Sequence, residues 1–106
     1  MKVFNIFDTP DTRSEGEVFE DIIVNDKFIL ERIISSGEST PAGEWLAGER
    51  DEWVMLVSGS AELLFEGISG NVKMRPGDHL YIPAGKKHRV EKTWEAGRTV
   101  WVALRF

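Results

Sequence analysis

Glu52 and His88 are the side chains in this sequence whose types and settings could support chemistry inside a fold. Glu52 shares strand parity with Val54 and Leu56, which places a carboxylate on an apolar face. A carboxylate there is costly unless a hydrogen bond, a cation or a metal offsets it. His88 opens a segment in which Val90 has the same parity, so its imidazole also points inward, where it can donate, accept or ligate. Together they make half of a site. They could pair with each other, hold a divalent ion weakly as two donors, or act as base and acid on a small sugar or keto acid. Glu44, Glu49 and Asp51 either add a further oxygen or are solvated loop charges. Trp45, in the loop before Glu52, could wall a ligand pocket or pack at its mouth.

The elements that position these residues read as strands. Phe28, Leu30 and Ile34 share one parity, as do Ala61, Leu63 and Phe65, and then Val100, Val102, Leu104 and Phe106. No helix is predicted. Turn signals fall at Asn25-Asp26, Ser36-Gly37, Ser58-Gly59, Gly67 to Asn71, Pro76-Gly77-Asp78 and Ala84-Gly85, and Asp78 is expected to close its turn through the backbone. Regular punctuation of this kind predicts an all-β sandwich or barrel. The segment Glu52 to Ser58 is apolar on both faces, Val54 and Leu56 on one, Trp53, Met55 and Val57 on the other. The outward face therefore needs cover, either from an amino-terminal strand around Val3 to Phe7 or from a second subunit in a homodimer.

The stretch from Gly77 through Pro83 and Gly85 to His88 resembles the second motif of the cupin superfamily, with Lys92 where that motif has asparagine. Glu52 and Gly59 fit the closing half of the first motif, but the positions of its paired histidines fall on Leu46 and Gly48 or on Trp45 and Ala47, none of which ligates metal. Gly43-Glu44-Trp45, Glu52-Trp53-Val54 and His88-Arg89-Val90-Glu91 look like a branch of small single-domain cupins with a degenerate first motif. The resemblance implies a cupin-type double-stranded β-helix, or jelly-roll barrel, over residues 27–106, preceded by an amino-terminal strand and polar arm in 1–26. It implies an interior pocket for a small molecule lined by Trp45, Glu52 and His88, with any metal (Fe, Zn, Mn or Ni) weakly held by Glu52 and His88. Alternative readings are a metal-dependent cupin enzyme of dioxygenase or isomerase type, and a structural or regulatory partner domain.

Bulk composition narrows the setting. The chain of 106 residues, 42% hydrophobic, suffices for one core. With no cysteine there is no disulfide framework and no thiolate chemistry, which suits the cytoplasm. Met1 to Phe7 is too brief an apolar stretch for a leader or a membrane span. A net charge of −5 disfavours nucleic acid as a partner, and the local cluster Lys86, Lys87, Arg89 and Lys92 reads as a solvated rim. His79 is expected at the surface or in an interface.

Overall fold

Alternating side chains along short segments leave the chain no way to bury its apolar parity except by stacking one sheet on another, and the structure does this. It is a computed structural model and describes residues 1–9 and 16–106. Eight strands form: β1 Val18–Val24, β2 Ile29–Ser35, β3 Glu52–Ser58, β4 Ala61–Phe65, β5 Val72–Met74, β6 His79–Ile82, β7 His88–Thr93 and β8 Thr99–Arg105. A five-stranded sheet runs β1-β2-β8-β3-β6, and a three-stranded sheet runs β5-β4-β7. Every pairing is antiparallel. No helix is present among the described residues, so none is long and apolar enough to cross a membrane.

The parities expected on β3 (Val54, Leu56) and β4 (Ala61, Leu63, Phe65) face the core, whereas on β2 and β8 the opposite parity does: Ile33 and Trp101 turn inward and Leu30, Val102 and Leu104 lie on the outer face beside Trp53 and Met55. Register places Leu56 beside Trp101 and Trp101 beside Ile33, then Val54 beside Ala103 and Ala103 beside Glu31. Val54, Leu56, Trp101 and Ala103 join Ala61, Leu63 and Phe65 of β4 and Met74 of β5 in one core cluster, with Ile33 packed against it. Leu56 is fully buried, a burial that contributes about 1.5–3 kcal/mol. On the opposite face of β3, Trp53, Met55 and Val57 are only half-buried.

The amino-terminal segment does not form the strand expected over Val3 to Phe7. The Asn5 side chain accepts the Phe7 amide at 2.8 Å and Asp8 N–H bonds the Asn5 carbonyl at 3.0 Å, a local turn that competes with extended pairing. Val3 and Phe4 are exposed. The segment is held by Arg32, whose Nη1 donates to the carbonyls of Ile6 at 3.1 Å and Asp8 at 2.7 Å. Pro10 to Glu15, in the stretch read as a polar arm, lie outside the described residues. β1 is a full partner of β2, from Val18 opposite Ile34 to Val24 opposite Ile29, so the boundary read at residue 26 falls inside a hairpin. Its turn is the Asn25-Asp26 signal, with Asn25 Oδ1 accepting the amides of Lys27 and Phe28 at 2.9 Å each.

Gly59 joins β3 to β4 with φ +89°, and a Cβ there would lie 2.5 Å from Thr99 Oγ1 and 2.7 Å from Thr99 Cα. Only glycine lets the turn sit this close to the start of β8. The turn at Pro76-Gly77-Asp78 closes through the backbone, Asp78 Oδ2 accepting the Arg75 amide at 2.9 Å.

Candidate functional site

His88 is fixed by its neighbours before any ligand is considered. The corner Pro83-Ala84-Gly85 is pinned by Lys86 N–H on the Pro83 carbonyl at 3.1 Å, Gly85 N–H on the Gly48 carbonyl at 2.8 Å and Ala84 N–H on Asp51 Oδ1 at 2.9 Å. Chain leaving this corner enters β7 at His88, whose backbone exchanges hydrogen bonds with Leu46 at 2.7 and 2.9 Å. The ring stacks on Phe65 with centroids 5.8 Å apart. Its Nδ1 lies 2.9 Å from the Lys86 carbonyl, and a carbonyl only accepts, so Nδ1 carries the proton. With Nδ1 carrying the proton, Nε2 is the nitrogen left to face a ligand. His88 is 8% exposed, and Nε2 has no hydrogen-bond partner among the described residues.

Glu52 stands at the start of β3, beside Ile82 of β6 on one side and Arg105 of β8 on the other. Nearby, Glu31 of β2 is 4% exposed and has Arg105 Nη2 2.6 Å from its Oε1. Burial raises the Glu31 carboxyl above its ordinary pKa although Arg105 opposes this, and the Glu52 and Asp21 charges add to the rise. Arg105 thus serves Glu31. Glu52 has no ion pair or hydrogen bond among the described residues, and in particular it does not pair with His88.

Both residues nevertheless line one cavity of about 450 Å³ between the sheets, walled by apolar side chains that include Ile33, Val54, Leu63 and Trp101. Its far end is acidic. Glu17, just before β1, and Glu38, in the loop after β2, also line it. Ser35 Oγ donates to Glu17 Oε2 at 2.6 Å, and the Ser36 amide donates to Glu38 Oε2. Loss of water around its carboxyl raises the Glu17 pKa, repulsion from Glu38 adds to this, and the Ser35 hydrogen bond only partly opposes them. Sequence reading missed both glutamates. The Ser36-Gly37 turn signal was visible, but nothing in the spacing pointed their side chains to the interior.

No family model and no curated protein matches the chain. Among solved structures, a protein of Ralstonia eutropha JMP134, provisionally assigned as a mannose-6-phosphate isomerase, is 40% identical over 99% of this chain and 97% of its own, with a TM-score of 0.94. A cupin superfamily protein of Desulfitobacterium hafniense DCB-2 is 19% identical over 89% of this chain and 80% of its own, with a TM-score of 0.72. The EutQ protein of Clostridium difficile superposes with a TM-score of 0.68 at 12% identity, over 85% of this chain and 67% of its own. The chain belongs to the cupin superfamily. Its two sheets are the halves of a cupin jelly roll, with Glu52 on one and His88 on the other.

Among the described residues of this cupin, the donors for a firmly held metal do not come together. The loop Trp45 to Gly48 offers no imidazole or thiolate, and the described residues contain no group of three histidine, aspartate or glutamate side chains placed to share an ion. The residues present do not fit a complete metal centre. Trp45 was expected as a pocket wall, but it is 40% exposed and is not among the lining residues; Leu46 and Ala47 line the cavity in its place. Asp51 is tied to the rim, its carboxyl held below the ordinary range by the Ala84 amide and by the Tyr81 hydroxyl. His79 is exposed on the outer face, with Trp53 Nε1 donating to its Nδ1 at 3.1 Å. Of the basic cluster, Lys87 pairs with Glu66 at the surface, while Arg89 is engaged with the Thr40, Pro41 and Glu44 carbonyls and with Glu91.

Proposed function

We propose that this cupin binds a small molecule in the barrel interior, presenting Glu52 and His88 to it. The observation that supports this most is the cavity of about 450 Å³, with an apolar wall and a buried imidazole whose Nε2 is open. A divalent ion (Fe, Zn, Mn or Ni) would be held loosely, because two donors leave the remaining positions to water or ligand. Untagged protein should carry well under one equivalent of metal, and His88→Ala should weaken ligand binding more than it changes metal content. Stoichiometric metal that resists chelation and disappears in His88→Ala would overturn this reading. Such a result would favour a metal-dependent isomerase, the reading supported by the name of the Ralstonia relative. The open cavity favours ligand binding over a purely structural or regulatory partner domain.

The same reading includes a cytoplasmic homodimer with no nucleic-acid or membrane partner. The half-buried Trp53 and Met55 continue into Leu104, and Tyr81 and Phe106 lie at their edge with ring centroids 6.3 Å apart. An interface built on this surface would be largely apolar and so little weakened by salt. Sedimentation should show dimers persisting at micromolar protein in 0.5 M salt, and monomer alone would remove the dimer from the proposal.

A further inference from the structure

The polar groups of the cavity are unequal in a way that bears on its ligand. Its cation and its imidazole N–H are engaged within the protein, Arg105 with Glu31 and Nδ1–H of His88 with the Lys86 carbonyl, as is Ser35 Oγ–H with Glu17; the donors left on the wall are the neutral hydroxyls of Ser39 and Thr40. Its acceptors are open or only partly used. Glu52 accepts nothing among the described residues, and Nε2 of the 8% exposed His88 has no partner among them. Glu17 and Glu38 each accept one bond from a neutral donor, and no cation pairs with either among the described residues. The cavity thus carries three carboxylates on its wall, Glu17, Glu38 and Glu52, against one cation, Arg105, already matched to a fourth carboxylate.

Such a wall selects by charge and by donor count. An anionic group brought inside would lose its water and meet like charge, costs that the apolar surroundings magnify. A neutral hydroxyl satisfies one acceptor. A protonated amine supplies three N–H donors with a positive charge, forms charge-assisted bonds with carboxylates and leaves its hydrocarbon body for Ile33, Val54, Leu63 and Trp101. Phe19 is on the same wall and 56% exposed, so an aromatic face stands near the Glu17 end.

We infer that the cavity takes an organic ammonium ion, its nitrogen held between Glu17 and Glu38 and its apolar body running toward His88, and that it rejects phosphorylated and carboxylated ligands. The inference rests on the cavity being a small-molecule site and names the ligand class for it.

Three probes with one body and three charges test it: hexylamine, hexan-1-ol and hexanoate, titrated calorimetrically into the full chain at pH 7.5, with the Trp101 indole N–H resonance reporting cavity occupancy. Hexylammonium should bind at least tenfold more tightly than hexanol, with hexanoate weakest. The preference should fall several-fold in Glu17→Gln or Glu38→Gln and vanish in the double variant, whose melting curve shows that it is folded. Equal or tighter binding of hexanol or hexanoate, or a preference that survives the double variant, overturns the assignment. Mannose and mannose 6-phosphate form a separate arm. Binding of either while hexylammonium is ignored overturns the ammonium assignment and leaves the cavity as a ligand site, whereas silence of every probe overturns both.

Discussion

The two ends of the cavity treat their carboxylates differently. At the end where β2 and β3 begin and β8 finishes, Glu31 and Glu52 share their surroundings with Arg105, which lies 2.6 Å from Glu31. Four residues along β2, about 13 Å at the usual strand rise, Glu17 and Glu38 have among the described residues only the Ser35 hydroxyl and the Ser36 amide. Both Glu31 and Glu17 are pushed above the ordinary carboxylate range, loss of water being the largest cause each time. The first end resolves the cost internally with a counter-charge. The second leaves it to neutral donors, and this is the end with affinity to spare for a cation.

Breaking the backbone beside the second end should have the largest effect. Gly59 packs on Thr99, which is the register partner of Ser35, the residue that holds Glu17. Gly59→Ala adds a Cβ against main-chain atoms at a positive φ and should cost about 3–5 kcal/mol in urea unfolding. Gly85→Ala has a similar φ, +79°, but nothing within 4 Å of the new Cβ, and should cost only about 1 kcal/mol. Equal losses in the two variants would remove crowding as the cause.

Arg105→Met tests the first end. It strands Glu31, 4% exposed, without its cation, and should lower stability at pH 7 by about 2–3 kcal/mol. The loss should shrink on acidification. A carboxyl with a raised folded-state pKa binds protons in the folded chain that the unfolded chain has already released, so stability falls as pH rises from about 4.5 through the raised value and recovers below it. Adding Glu31→Gln should recover most of the deficit and flatten this dependence. A single variant whose loss does not change with pH would show that Arg105 acts by packing alone.

The smallest effect is of opposite sign. Glu17→Gln keeps an acceptor for Ser35 and removes a charge repelled by Glu38, so it should stabilise at neutral pH. Because Glu17 is exposed as a whole residue, the gain should be no more than about 0.5 kcal/mol, roughly 2–4 °C in melting temperature for a chain of this size. Glu17 has a raised pKa, so the stability it costs appears as pH rises above about 4.5, and the gain should disappear below that value. Destabilisation instead would mean that the Ser35 bond needs the full carboxylate charge.

Legibility in the sequence followed the same division. The inward parity of Glu52 with Val54 and Leu56, and the corner that delivers His88, are local patterns set within a few residues, and both side chains line the cavity. Pairing between the two was not legible, because it depends on where an imidazole turns once Lys86 claims Nδ1. Glu17 meets Ser35 across 18 positions, through a register that no spacing rule supplies. β1 was hidden for a related reason: as an edge strand it exposes Phe19, Ile22, Ile23 and Val24 alike, and a register shift between Asp21 and Ile23 breaks the period of two. Trp45 sits in a loop, where strand parity does not fix direction.

The bond from His88 Nδ1 to the Lys86 carbonyl also bears on how this barrel can change through mutational drift. A ring whose proton is placed by a side chain can lose its chemistry when that partner mutates. Here the partner is a peptide oxygen, which every amino acid at position 86 would provide. Substitution of Lys86 alone therefore leaves the basic nitrogen of His88 facing the cavity, so the exposed corner is free to acquire new contacts while the imidazole keeps its tautomer.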